Sequence, residues 1–274
     1  MSRTYFDLQE PDRSGLAAQV GEQRRRVRER LEQVRRVVAV MSGKGGVGKS
    51  YLTAALALGA APRRASGGVG VVDADLRSPT VARLLGASGP LVVSADGVRP
   101  AVGTAGVRVV STDFLLDNGK PLRWREPAEE RFVWRGVLEA GVLREFLGDV
   151  VWGPLDLLLV DLPPGADGVV DLAALVPGLA GAVAVTIPTE ESGRSVERAM
   201  RAAREGGIPL LGVIENLSGY QCEACRSLGP LFAGDAGPRL AAEFGAPLLG
   251  RVPFAAGPPV CPAPLLEAFL GRLA

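Results

Sequence analysis

Two hydrophobic rhythms alternate along this chain. Almost unbroken apolar runs begin at Val37 and recur at Val69–Asp73, Leu155–Asp161, Ala182–Ile187, Leu211–Glu215 and Leu248–Arg251. Short apolar runs bounded by turn residues predict strands buried on both faces. Between them lie stretches of helical character: Leu52–Ala61, closed by Pro62, then Pro79–Leu85, Arg131–Leu147, Ser192–Glu205, Pro238–Phe244 and Pro264–Leu270. Leu91–Val93 and Val107–Ser111 read as further strands. Such alternation predicts an α/β fold, a mostly parallel sheet with helices on both faces. No linker or internal repeat divides residues 37–274, so they read as one domain.

Residues 1–36 read differently. Residues 1–13 form a polar, loosely packed lead. Gly15–Arg36 has helical spacing, with Leu16, Val20, Val27, Leu31 and Val34 on one face. Arg24, Arg25, Arg26, Arg28 and Arg30 crowd the other. Glu22, Glu29 and Glu32 are interleaved with them, which favours a solvated face over a membrane or acidic-partner surface.

Composition narrows the function. The chain has 274 residues, with 31 basic against 30 acidic. That balance argues against nucleic acid as a partner. No apolar run approaches the ~20 residues of a membrane span. The start, Met1–Arg13, has no apolar signal region. Three cysteines point to a reducing compartment without a disulfide framework, so the expected location is cytoplasmic. There is no histidine, which removes histidine bases and ligands. Lysine occurs only at positions 44, 49 and 120, arginine serving elsewhere.

Two of those lysines share one loop. Gly43-Lys44-Gly45-Gly46-Val47-Gly48-Lys49-Ser50 fits the phosphate-binding pattern G-x-x-x-x-G-K-[ST], between a strand and a helix. Glycines let successive backbone N–H groups converge on phosphate oxygens, and the helix adds its positive end. Lys49 is expected on the β/γ phosphates, Ser50 on Mg²⁺, and Tyr51 among the nucleotide contacts. Asp73, Asp75 and Asp161 follow strands, on the edge where ligands of such sheets bind. Asp161 is the expected acid near Mg²⁺, with Asp75 also counted among the groups around the ion. Asp75 is expected to orient the attacking water, with Asp73 as competitor. No N-K-x-D guanine-reading motif follows the later strands; Glu215-Asn216-Leu217-Ser218 stands there, so ATP is preferred and Asn216 is placed at the adenine edge.

Cys222-Glu-Ala-Cys225 is a C-x-x-C pair. A redox dithiol, half a zinc site and half an iron–sulfur site all fit it. A two-fold dimer would bring four thiols to one axis. Cys261, in a proline-rich segment, reads as a small buried hydrophobe.

Together these blocks resemble the Mrp/ApbC family of iron–sulfur carrier ATPases, within the deviant Walker A, MinD/ParA-like P-loop class. The resemblance rests on Gly43–Ser50 with its extra Lys44, Asp73-Ala-Asp-Leu-Arg-Ser-Pro-Thr80, Trp134-Arg135-Gly136 and Trp152-Gly-Pro-Leu-Asp156. It continues through Asp161-Leu-Pro-Pro-Gly165, Val185-Thr-Ile-Pro188 and Gly212 to Cys225. It implies an ATP-hydrolysing homodimer in which Lys44 reaches the partner's nucleotide. It implies that Cys222 and Cys225 of two copies bridge a 4Fe–4S cluster, passed between assembly scaffold proteins and apo-proteins. Ser78 stands where the family usually has glycine, Val137 where it has proline, and Ala166-Asp167-Gly168 where it has Thr-Gly-Asp. The alternatives are a MinD/ParA-type positioning ATPase and a zinc-stabilised dimer. Against the first, residues 264–274 lack a basic amphipathic membrane helix.

Overall fold

β1 (Val37–Ser42) is buried along its whole length and divides its side chains between two cores. Ala39 and Met41 enter one, Val38 and Val40 the other. This is the two-fold alternation of a strand covered on both faces. The computed structural model describes residues 16–63, 67–76, 78–89, 91–115, 134–222, 224–225 and 227–274. The lead expected over 1–13 lies outside them.

In chain order, α1 (Leu16–Leu31) precedes β1, followed by α2 (Lys49–Ala60), β2 (Val69–Asp73) and α3 (Val81–Leu84). Next come β3 (Val92–Ser94), β4 (Gly97–Arg99), β5 (Ala101–Val102), β6 (Arg108–Val110) and α4 (Trp134–Gly148). Then follow β7 (Leu157–Asp161), α5 (Asp167–Leu175), β8 (Leu179–Thr186) and α6 (Glu190–Glu205). The chain closes with β9 (Leu210–Gln221), β10 (Leu228–Gly229), α7 (Ala236–Phe244), β11 (Leu248–Phe254) and α8 (Ala263–Gly271). Among the described residues, nine strands form one sheet in the order β10-β9-β8-β1-β7-β2-β6-β5, with β11 also on β9. β5 and β10 pair antiparallel; the other pairings are parallel. α1, α4, α5, α6 and α7 cover one face with Val27, Leu147, Leu172, Met200 and Leu240. α2, α3 and α8 cover the other with Leu52, Leu56, Val81 and Phe269. Each such fully buried leucine or phenylalanine contributes roughly 1.5–3 kcal/mol.

The predicted α/β fold is the observed one. Its details differ from expectation in several places. The helix expected to reach Arg36 stops at Leu31. Val34, placed on its apolar face, instead forms a parallel bridge with Leu155, and Arg35 N–H donates to the Leu155 carbonyl at 2.9 Å. Leu155 thus precedes β7 rather than starting it. α5 was not anticipated; Val169, Leu172 and Leu175 bury one side of it. Leu91–Val93 contributes not to the main sheet but to a separate β3–β4 hairpin. β9 runs for 12 residues, well past the expected Glu215, because β11 pairs with it as far as Tyr220. Of the helix expected over 131–147, residues 131–133 lie outside the described part. Among the described residues no helix is long and apolar enough to cross a membrane.

Candidate functional site

The glycine loop leaves β1 at its carboxyl end, beside β7 and β8. Gly46 and Gly48 have φ of +79° and +81°, the left-handed region that side chains resist. A Cβ on Gly45 or Gly46 would meet nothing within 4 Å, so this part of the loop fronts open space. That space is a cleft of about 1270 Å³ lined by Lys44–Tyr51, Asp75, Ser78, Thr80, Pro163–Gly165, Asp167 and Asp171, among others. α2 begins at Lys49 with its amino end toward the loop, which suits an anion. Gly43 serves another purpose: a Cβ there would lie 2.1 Å from the Ser195 carbonyl carbon. Its role is close approach to α6, and it is not among the cleft-lining residues.

Asp161 is the hub beneath the loop and is fully buried. Its Oδ2 lies 2.8 Å from Lys49 Nζ and accepts Ser50 Oγ–H at 2.6 Å. Its Oδ1 accepts from Thr53 Oγ1 at 2.7 Å. Charge pairing and hydrogen bonds of this kind offset the cost of burying a carboxylate. Lys49, Ser50 and Thr53 share one face of α2 through i+3 and i+4 spacing. Ser50 lines the cleft and Asp161 lies directly behind it, so Ser50 Oγ and Asp161 Oδ2 form a pair of hard oxygen donors of the kind that fits Mg²⁺. Thr53 was not foreseen, although a hydroxyl inside the apolar run Leu52–Ala61 was its visible signal.

Asp73 and Asp75 separate cleanly. Asp75 is half-buried, lines the cleft and accepts Ser78 N–H at 3.4 Å. Asp73 lies beneath, fully buried, opposite Asp161 across the β2–β7 register. Its Oδ2 accepts Thr80 N–H at 3.0 Å, Val81 N–H at 3.2 Å and Ser111 Oγ–H at 3.0 Å. Among the described residues its Oδ1 has no hydrogen-bond partner. Burial, then the charge of Asp161, pushes its pKa up to about 7. Asp73 therefore pins the segment after Asp75, and it does not line the cleft.

Asn216 is buried and donates Nδ2–H to the Val47 carbonyl at 2.9 Å. It stands against Gly48, where a Cβ would come within 2.2 Å of Nδ2. That amide hydrogen bond belongs to the loop, and Asn216, expected at the adenine edge, is not among the cleft-lining residues. Tyr51 OH donates to the Pro258 carbonyl at 3.2 Å, joining the cleft to the segment after β11. Beside Asn216, Glu215 accepts Gly237 N–H at 2.8 Å and Arg251 Nε–H at 2.7 Å, fixing α7 and β11 to the same strand.

Six residues beyond Asn216, at about 3.3 Å per residue, the same strand delivers Cys222 to a hairpin with β10. Cys222 N–H donates to the Ser227 carbonyl at 2.9 Å, and Cys225 Sγ lies 2.9 Å from Ser227 Oγ. All three cysteines are free thiols. The Ser227 hydroxyl and backbone, then Cys222, bring the exposed Cys225 thiol down to about 7, whereas burial pushes Cys261 up to about 11. Among the described residues no group of three or more Cys, Asp or Glu could hold a metal ion. Tyr220, Leu228, Leu231, Phe232 and Phe254 are exposed large apolar side chains in and beyond this hairpin and at the end of β11. Tyr220 and Phe254 rings lie 6.4 Å apart.

The family described as ParA, NUBPL iron-transfer P-loop NTPase, matches residues 33–258. The chain belongs to that family. It is 38% identical over 232 residues to an iron–sulfur cluster carrier protein of Saccharolobus solfataricus, covering 83% of this chain and 74% of that relative. It is also 38% identical over 229 residues to the human cytosolic Fe–S cluster assembly factor NUBP2, covering 81% and 80%. A nucleotide-binding protein of Archaeoglobus fulgidus, solved in complex with ADP, superposes with a TM-score of 0.68 at 32% identity, over 91% of this chain and 92% of that one. MinD of Pyrococcus horikoshii with Mg-ADP shares the fold, with a TM-score of 0.52 at 20% identity over 85% and 86%. The family membership and fold agree with the resemblance read from the motifs.

Proposed function

We propose that the protein is an ATP-dependent iron–sulfur cluster carrier working as a homodimer in the cytoplasm. The observation that carries this reading is one strand, β9: Asn216 on it bonds the phosphate loop, and its carboxyl end leads directly into the thiol pair of half-buried Cys222 and exposed Cys225. Relatives named as cluster carriers and assembly factors support it. A positioning role of the MinD/ParA kind is not favoured, since the MinD likeness extends to the fold alone.

In the ATPase reading, Gly45 to Gly48 give backbone N–H groups to the phosphates. Lys49 turns from Asp161 toward the β/γ phosphates and compensates their charge. Ser50 and Asp161 would hold Mg²⁺, which would supply charge neutralisation at the phosphates. Asp75 orients the attacking water, and Lys44 reaches the nucleotide of the partner. At the other end of β9, the hairpins of two copies meet. Cys222 and Cys225 of each copy then supply four thiolates to a 4Fe–4S cluster, the cargo. The exposed apolar side chains around the hairpin provide the surface for that meeting. Scaffold proteins load the cluster and apo-proteins receive it.

The test is transfer. Protein carrying the cluster is mixed anaerobically with an iron–sulfur apo-enzyme, and recovery of the recipient's activity is followed with and without Mg-ATP. Recovery that C222A/C225A abolishes supports the reading. Recovery no faster than with free iron and sulfide refutes it.

A further inference from the structure

The Asp161 carboxylate has two oxygens with different duties. Oδ2 meets Lys49 and Ser50, which line the cleft, and Oδ1 meets Thr53, which does not. The terminal torsion of an aspartate is broad, so nothing intrinsic keeps the two from exchanging or tilting. Thr53 supplies the restraint. It is fully buried, as is Asp161, so water does not compete for the bond. It is β-branched on a helix, which narrows its own rotamers. Its single proton has two acceptors in reach, Asp161 Oδ1 at 2.7 Å and the Lys49 carbonyl at 3.0 Å. The charged and nearer acceptor takes it.

We propose that Thr53 is a positioning residue for the divalent cation: its hydroxyl locks the Asp161 carboxylate so that Oδ2 faces Ser50 and the phosphate loop. This rests on the reading of the cleft as a Mg-ATP site. Partners that orient a metal ligand from behind are worth about 10–100-fold in metal affinity. A hydroxyl that served only to satisfy a buried carboxylate would change folding stability and leave the cation requirement alone.

The experiment titrates a fluorescent ATP analogue into wild type, T53V and T53S, first with EDTA and then at graded Mg²⁺. Mn²⁺ binding in the presence of ADP is followed in parallel by electron paramagnetic resonance. T53V is expected to need about tenfold more Mg²⁺ for half-maximal binding, and to bind Mn²⁺ correspondingly more weakly. T53S keeps the hydroxyl and stays close to wild type, well short of that tenfold change. With EDTA the three bind the analogue alike. If T53V does not fold, T53A takes its place in the same comparison. A Mg²⁺ requirement unchanged in T53V or T53A overturns the assignment, and so does T53S failing as badly as T53V. Wild type that ignores the analogue overturns the nucleotide reading itself, and the assignment with it.

Discussion

Asn216 Nδ2 lies 2.9 Å from the carbonyl oxygen of Val47, so the strand that leads to the cysteines is bonded to the loop that meets phosphate. β9 carries this contact about 20 Å toward Cys222, at 3.3 Å per residue over six residues. Leu217, next to Asn216, has φ of +52°, in the left-handed region unusual for a leucine. The strand is therefore irregular where loop and strand meet. We predict that Asn216→Ala leaves the Val47 carbonyl short of its partner. The loss is about 1–3 kcal/mol of stability, together with weaker nucleotide binding. Urea denaturation and nucleotide titration of the same variant check both; an unchanged affinity would remove Asn216 from the loop's support.

Two loop glycines should respond oppositely to alanine. At Gly43 the new Cβ collides with the backbone of α6, which has no flexible end to yield. G43A is expected to lose about 1–3 kcal/mol or more without nucleotide, the usual penalty of overpacking. At Gly45 a Cβ meets nothing and fronts the cleft. G45A is expected to melt with wild type when empty and to bind nucleotide more weakly. Thermal melts with and without Mg-ADP distinguish them.

The core was legible because its strands are buried on both faces: Val37–Met41 and Leu157–Val160 show no polar interruption for a reader to misjudge. The phosphate loop was legible because Lys44 and Lys49 stand out in an arginine-rich chain whose one other lysine is Lys120. What escaped depends on partners distant in sequence. Gly43 answers to Ser195, and Asp73 to Ser111 and the α3 amides. Nothing adjacent to Asp73 distinguishes it from Asp75; burial does, and burial is set by β6 and β7. β9 outran its expected end because pairing with β11 overrides the weak strand preference of Asn216, Ser218 and Gly219. Thr53 was hidden by its neighbours, since a lone hydroxyl in an apolar helix reads as filler until Asp161 is placed against it.

Asp73 should make the empty protein sensitive to pH. Its folded pKa is about 7, raised by burial and then by Asp161, against an ordinary value of 3.8. Between those values the unfolded chain has released a proton that the folded chain still holds. The contribution of Asp73 is thus largest below pH 4 and is lost as pH rises to about 7. Asp73→Asn removes this dependence. The stability of wild type relative to D73N should fall across that window by up to a few kcal/mol, as read from urea midpoints at each pH. A difference independent of pH would show that Asp73 is ionised throughout.

The cysteines should differ in reactivity. The Cys225 thiol sits at about 7, lowered first by the Ser227 hydroxyl, and is exposed; Cys261 is half-buried and sits at about 11. The thiolate is the nucleophile. Iodoacetamide labelling of Cys225 should rise to half its maximum near pH 7, while Cys261 remains slow up to pH 9. Ser227→Ala should move the Cys225 midpoint upward. Peptide mapping after timed labelling gives both rates, and equal rates at pH 7.5 would contradict the geometry.

The central claim is that two copies complete one cluster site from Cys222 and Cys225. Native mass spectrometry of anaerobically reconstituted protein tests it most directly. The account predicts a dimer heavier than two chains by one cluster of about four irons and four sulfides, reverting to cluster-free protein in C222A/C225A. A metal-free monomer, or a dimer holding a single zinc, would contradict it.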